Sequence, residues 1–149
     1  MYKPIGIYHA PIMRTIEPDG SRGVPIFGYG LYPTVDDVAK VAQLLQRGGQ
    51  AEGQQLLHAD KLAEALRQTN VAGLPTGQFN QNGEGRYHMA FWSFPYPTAQ
   101  GKIAQVPYMS GHGGNLVVLN PNGVVSFRFA DGFDYNIEPM VSVAQSMLP

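Results

Sequence analysis

The chain contains no cysteine, little charge and no long apolar run. The absence of cysteine excludes disulfides, thiolate metal sites and a cysteine nucleophile. Charged residues make up 14% of the 149 residues, and the net charge is −1 without any run of Lys or Arg, which argues against nucleic-acid binding through a basic surface. No apolar stretch reaches the roughly 20 residues of a membrane-spanning helix, and residues 1–4 do not lead into the apolar core of a signal peptide. We therefore expect no membrane span and no nucleic-acid partner.

What the chain does contain predicts one globular domain over residues 1–149. Hydrophobic residues make up 44% of the sequence, enough for a real core at this length. The predicted order is helix, helix, three or more antiparallel strands, helix. Residues 1–33 show no sustained periodicity and are expected to be irregular with short extended pieces. This order favours the α+β class, an antiparallel sheet packed with helices.

Two helices are expected before the sheet and one after it. Thr34 can cap the first helix, residues 36–37 are acidic as its N-terminus favours, and Gly48–Gly49 ends it. The second helix is predicted from Ala59 to Gln68. Asn136 is positioned to cap a final helix. The residues of that helix expected to face the core are Val143, Ala144 and Met147.

The strand signals lie mainly in the second half of the chain. Residues 70–86 are rich in Asn, Gln and Gly and are predicted to be a long loop. Arg86–Phe94 is dense in aromatic residues and is predicted to be a strand, closed by the prolines at 95 and 97. Two apolar runs on either side of Asn120–Gly123 predict a β-hairpin.

A glycine-rich loop precedes that hairpin and contains His112. Glycine has no Cβ, so Gly113–Gly114 marks a place where another backbone segment or a ligand can approach closely. His112 at the mouth of the strand is a candidate general acid or base, or an anion contact. The alternative is a loop histidine with a satisfied hydrogen bond.

Other chemistry is weakly indicated. In a triad of Ser110, His112 and Asp131, the first two residues would have Cβ atoms ~7 Å apart on one strand face, too far for a direct hydrogen bond. The four histidines share no metal-ligand spacing, so no metal and no cofactor are predicted. The dense aromatic residues are expected in the core, with a few lining a pocket near the glycine loop.

Several segments resemble the serine β-lactamase and penicillin-binding-protein superfamily, most closely its class C β-lactamase and esterase-type branch. They are Gly30-Leu-Tyr-Pro-Thr-Val-Asp-Asp-Val-Ala39, Leu44-Leu-Gln-Arg-Gly-Gly49 and Gly53-Gln-Gln-Leu-Leu57. The opening Pro4-Ile-Gly-Ile7 is similar to the family's Pro-Leu-Gly-Met segment. Ser110-Gly-His-Gly-Gly-Asn115 falls where the family has its third motif, Lys-Thr-Gly or His-Thr-Gly. The resemblance implies a partial β-lactamase/transpeptidase-like fold.

The resemblance also assigns roles within the third motif. His112 takes the Lys or His position, Gly113 the Thr position and Gly114 the Gly position. The backbone N–H of Asn115 would be one oxyanion-hole donor. Gly113 departs from the family pattern because it has no hydroxyl. The aromatic residues suggested as pocket walls are Trp92 and Tyr108.

The family's other two motifs are missing from the sequence. No Ser-x-x-Lys occurs, because the residues three positions before Lys40, Lys61 and Lys102 are not serine, and no Tyr-x-Asn occurs. The resemblance therefore covers the C-terminal part of the catalytic domain. The intact parent would hydrolyse a small amide or ester and, by family analogy, would be periplasmic or secreted. We expect the chain alone to have no turnover.

Two other interpretations remain open. In the first, the chain is a non-catalytic binding or oligomerisation module that self-associates or pairs with a missing N-terminal part through an exposed apolar surface. In the second, it is an independent enzyme with an unfamiliar site around His112. Saturable binding without turnover would indicate the module, and turnover that disappears in His112→Ala would indicate the enzyme.

Overall fold

The computed structural model describes residues 3–8, 11–26, 32–98 and 100–147. Within these ranges the helices are α1 (Val35–Gln46), α2 (Ala59–Ala65) and α3 (Glu138–Ser146). The strands are β1 (Arg14–Ile16), β2 (Arg22–Pro25), β3 (Gln50–Ala51), β4 (Gln54–Gln55), β5 (Leu74–Asn80), β6 (Gly83–His88), β7 (Phe91–Pro97), β8 (Ile103–Gly111), β9 (Asn115–Leu119) and β10 (Val125–Arg128). The α+β class is thereby confirmed.

The main sheet has six antiparallel strands in the order β10-β9-β8-β7-β6-β5. Each strand pairs with the next one along the chain, so the sheet is a meander. The strands β1 with β2 and β3 with β4 form two separate small ladders. No described helix is both long enough and apolar enough to cross a membrane.

Two core clusters lie against the sheet. One combines Val118 of β9 with Val141 of α3, and both side chains are at most 1% exposed. The other combines Leu119 with Ala42 of α1 and Leu66 after α2. Because successive strand residues point to opposite faces, Val118 and Leu119 place α3 on one face of the sheet and the other two helices on the opposite face.

The predicted start of α1 is confirmed by a capping box. The Thr34 hydroxyl accepts a hydrogen bond from the Asp37 N–H at 3.1 Å, and the Asp37 carboxylate accepts one from the Thr34 N–H at 2.9 Å. The hydrogen bond from the Thr34 N–H holds the pKa of Asp37 below its ordinary value. The helix ends at Gln46, just before the predicted glycine stop. α2 is shorter than predicted because Arg67 adopts the left-handed region, with φ 55°.

The loop predicted over residues 70–86 is wrong. Most of that segment forms β5 and the first part of β6, which pair through a turn at Gln81 and Asn82. Gly85 of β6 is buried, and a Cβ there would lie 2.7 Å from the Phe94 ring. The absence of a side chain at Gly85 therefore leaves room for the aromatic ring. The backbone of β6 finds its hydrogen-bond partners by pairing with β7, which the polar composition of the segment does not indicate.

The strand predicted over Arg86–Phe94 is in fact two strands. The chain turns at Met89 and Ala90, where φ is 45° and 69°. Pro95 does not end β7 but lies within it, whereas Pro97 is its last residue, and both register with β8 and not with β6. Proline is tolerated there because one side of the strand needs no ladder donor.

The predicted hairpin and final helix are both present. Buried Asn120 holds the β9–β10 turn by donating from Nδ2 to the carbonyl of Val124 at 3.1 Å. The Asn136 side chain accepts a hydrogen bond from the N–H of Glu138 at 2.9 Å, at the start of α3. The predicted core face of α3 is wrong at Val143 and Met147, which are 59% and 65% exposed, and right at Ala144. Helical spacing aligns Ala144 with Val141 and Ile137 instead.

Candidate functional site

The predicted third-motif segment forms a tight turn at one end of the sheet. β8 ends at Gly111, residues 112–114 make a short 3-10 turn, and β9 begins at Asn115. His112 is exposed, and its ring meets the edge of Phe133 with centroids 5.1 Å apart at 90°. None of the described residues hydrogen-bonds its imidazole. The exposed side chain is therefore oriented by packing against Phe133.

The two glycines of this turn allow the chain's own backbone to approach closely. Gly113 and Gly114 have φ of 80° and 89°, in the left-handed region. A Cβ at Gly113 would lie 2.8 Å from the carbonyl oxygen of Ala130, and one at Gly114 would lie 2.6 Å from that of Asp134. The close approach expected from the sequence is thus made by residues 130–134, which pack against the turn.

Asn115 ties the turn to that segment. Its Nδ2 donates to the His112 carbonyl at 2.6 Å, and its Oδ1 accepts from the Ala130 N–H at 3.0 Å. The Asn115 backbone pairs with Gly111 at the end of the β8–β9 ladder. The side chain therefore has a structural role, and the oxyanion role assigned to the backbone N–H stays a prediction.

An ion pair braces the other side of the same segment. Arg128 Nη1 lies 2.9 Å from Asp134 Oδ2, and Arg128 Nη2 also donates to the Asp134 carbonyl. The pKa of Asp134 is lowered, first by the hydrogen bond from the Asn136 N–H and then by Arg128. The backbone that supports His112 is thus fixed from both ends.

The two suggested wall residues lie side by side in the sheet. Trp92 and Tyr108 are register partners on β7 and β8. Tyr108 is 4% exposed and stacks with Phe94 at 6.3 Å, and burial raises its pKa to about 12. Trp92 packs edge-to-face on Tyr87 at 4.9 Å. Tyr108 belongs to a core cluster and Trp92 packs against it, in agreement with the expectation that the aromatic residues lie mostly in the core. Their role as pocket walls stays a prediction.

Sequence reasoning missed Phe133, the residue that contacts His112. Its backbone has φ 54°, which is uncommon for a bulky residue and places its ring over the turn. The one sequence signal near Phe133 was the Asp-Gly pair at 131–132. It indicated a turn but did not indicate that the next side chain packs against His112. Phe133 also donates its N–H to the Gly113 carbonyl at 3.1 Å.

The turn by itself offers an exposed imidazole without a paired nucleophile. Among the described residues, no hydrogen bond joins the side chains of Ser110, His112 and Asp131, and no group of three His, Asp or Glu side chains gathers in a metal-binding arrangement. His9 lies outside those residues. The arrangement can contact or protonate a group brought to it, while covalent catalysis needs a nucleophile from elsewhere.

No protein-family model matches the chain, and no curated protein matches it.

Proposed function

We propose that this chain forms the third-motif wall of a serine hydrolase of the β-lactamase and penicillin-binding-protein type, acting on a small amide or ester. The observation that carries the proposal is the position of His112. It projects to solvent from a rigid turn between two central strands, and that turn holds the segment that resembles the family's third motif. An imidazole fixed in this way can contact a substrate carboxylate or polarise a leaving group.

The nucleophile would come from residues outside this sequence. Acyl transfer of this kind needs a serine with a neighbouring base, opposite the oxyanion donors. Neither a Ser-x-x-Lys nor a Tyr-x-Asn motif occurs in the 149 residues. Loss of the nucleophile from such a constellation typically costs on the order of 10⁶ in kcat. We therefore predict no turnover by this chain alone.

The first experiment measures hydrolysis of a chromogenic ester and a chromogenic cephalosporin by the chain against a buffer blank. The proposal expects rates equal to the blank and no burst. A burst followed by turnover would contradict it, and would indicate an independent enzyme around His112 if His112→Ala removed the activity.

A second experiment tests the role of His112 after the chain is combined with the parent's segment that carries the two missing motifs. We expect His112→Ala to lower kcat/KM by about 10²-fold, the usual contribution of a positioned acid or base. His58→Ala is the matched control, because His58 is exposed, lies outside the third-motif segment at the start of α2, and makes no side-chain cap. Equal activity of the His112 variant and the control would refute the assignment.

A non-catalytic module is the second candidate. It is favoured by the apolar side chains that β5 exposes at an edge of the sheet, Leu74 at 69% and Phe79 at 72%. Exposed apolar surface of this kind often becomes an interface. The module predicts association without any hydrolysis, whether or not the missing motifs are supplied.

A further inference from the structure

A second candidate site lies at the other end of the sheet, around Arg67. Arg67 follows α2 and reaches onto β7 and β8, near Ser93 and Gln105. Gln105 is six residues from Gly111 along β8, which corresponds to about 20 Å at the rise of an extended strand. This region is therefore separate from the turn that carries His112.

Arg67 is a half-buried cation that has only neutral acceptors. Its Nη1 donates to the Ser93 hydroxyl at 2.7 Å and to Gln105 Oε1 at 3.0 Å, and its Nε donates to the Val71 carbonyl at 3.2 Å. Ser93 is 2% exposed, so part of this network is shielded from water. Among the described residues, no carboxylate lies within 4.0 Å of the guanidinium.

The surroundings of Arg67 disfavour its positive charge without supplying, among the described residues, a carboxylate that balances it. Burial lowers its pKa, and the positive charge of Arg86 lowers it further. Arg86 is paired with Glu84 at 3.2 Å. In the described part of the chain, the Nη2 atom of Arg67 has no hydrogen-bond partner, so its two hydrogens remain available. A cation held in this way is stabilised by an anion that brings its own acceptors.

Arg67 is one of the residues that line an open cleft of about 520 Å³. Its polar lining includes Gln46, Gln68 and Gln105, and Pro107 and Leu119 supply apolar surface. No Asp or Glu among the described residues lines it. The volume suits a small ligand, and a few convergent polar groups on an apolar wall are typical of small-molecule sites.

We propose that this cleft binds a small organic carboxylate. One carboxylate oxygen would accept a charge-assisted hydrogen bond from Nη2 of Arg67, because the Nη1 and Nε hydrogens are already donated within the protein. The glutamine amides would bind the ligand's neighbouring polar atoms, because an amide both donates and accepts. The site is independent of the proposed hydrolase function, since it shares no residue with the His112 turn.

The test is an NMR titration that follows the Nε–H resonance of Arg67, with N-acetylglycine as the probe and sodium chloride as the ionic-strength control. We expect a saturable shift with N-acetylglycine and none with chloride. Gln68→Glu places a carboxylate in the cleft without removing a described hydrogen bond, and it should weaken binding at least about tenfold through like-charge repulsion. Gln81→Glu makes the same charge change at the β5–β6 turn and should bind like the wild type.

Several results would overturn the proposal. They are an equal shift with chloride, unchanged affinity in Gln68→Glu, and equal weakening in both glutamate variants. Arg67→Lys keeps the charge but loses the Nη2 hydrogens, and it should also bind at least about tenfold more weakly when the titration is followed on the Gln105 side-chain amide resonances. Inorganic phosphate is a second probe, and tighter binding of phosphate than of N-acetylglycine would overturn the assignment to a carboxylate.

Discussion

At the scale of single residues, the turn beneath His112 depends on two glycines, each for the same two reasons. Both need a left-handed backbone, but they also face the carbonyl oxygens of Ala130 and Asp134. The sequence showed that something approaches the glycines, but it could not show what, because the approaching segment is brought there by tertiary packing. His112 and Asn115 were found because they lie next to these glycines, whereas Phe133 lies nearly 20 positions later and was not.

Gly114→Ala is predicted to destabilise the protein strongly. A left-handed alanine costs about 1–3 kcal/mol, and the contact of its Cβ with the Asp134 oxygen adds a comparable strain. We expect the free energy of unfolding in urea to fall by about 3 kcal/mol or more. Gly123→Ala is the control, since Gly123 has the same φ of 89° but no atom within 4 Å of a built Cβ. Equal losses in the two variants would show that the contact with Asp134 carries no cost.

Tyr108 gives a prediction at alkaline pH. Burial raises its pKa to about 12, whereas in the unfolded chain the group ionises near its ordinary value of 10.0. The stability linked to Tyr108 is therefore complete below pH 10 and is lost as the pH rises toward 12. We expect the free energy of unfolding to fall more steeply across this window in the wild type than in Tyr108→Phe. Tyr8→Phe, at a position 72% exposed, should leave the wild-type profile unchanged, and parallel profiles for all three proteins would contradict the burial argument.

At the scale of secondary-structure elements, the sequence was most informative where the signal is local. The capping box of α1 lies within four residues, and the β9–β10 hairpin has its turn between two apolar runs. β5 and the first part of β6 were missed because they are rich in Asn, Gln and Gly, which are typical of loops. These strands are stabilised instead by pairing with each other and with β7 and by the Phe94 ring. The Asn82–Gly83 pair, typical of tight hairpins, was the one local signal for them.

The corrected face of α3 can be tested directly. Val141 is 1% exposed in the core, whereas Val143, the residue expected there from the sequence, is 59% exposed. Val141→Ala should lower the free energy of unfolding by about 2 kcal/mol, because it removes two buried methyl groups and leaves a cavity. Val143→Ala should change it by less than about 0.5 kcal/mol. A larger loss at Val143 would restore the original assignment of the helix face.

At the scale of the whole molecule, the sheet ends in the unpaired strands β5 and β10 within the described chain. Unpaired strand edges can join other strands, and natural proteins usually protect them. β5 contains Pro75 and a register irregularity, both of which hinder pairing, but it also exposes Leu74 and Phe79. Apolar surface on this strand is therefore a stronger driver of association than its backbone edge.

We predict that the chain self-associates through this β5 surface. In light scattering, its mass should rise above 16.2 kDa as the concentration increases through the micromolar range. Replacing Leu74 and Phe79 together by lysine removes two exposed apolar groups and adds repulsion between copies, so this variant should stay at the monomer mass. The control replaces Val35 and Val143 by lysine, because these helical residues are 58% and 59% exposed and give the same change in charge. A wild-type chain that remains monomeric at every concentration would contradict self-association, and equal dissociation of both variants would show that net charge, rather than the β5 surface, controls it.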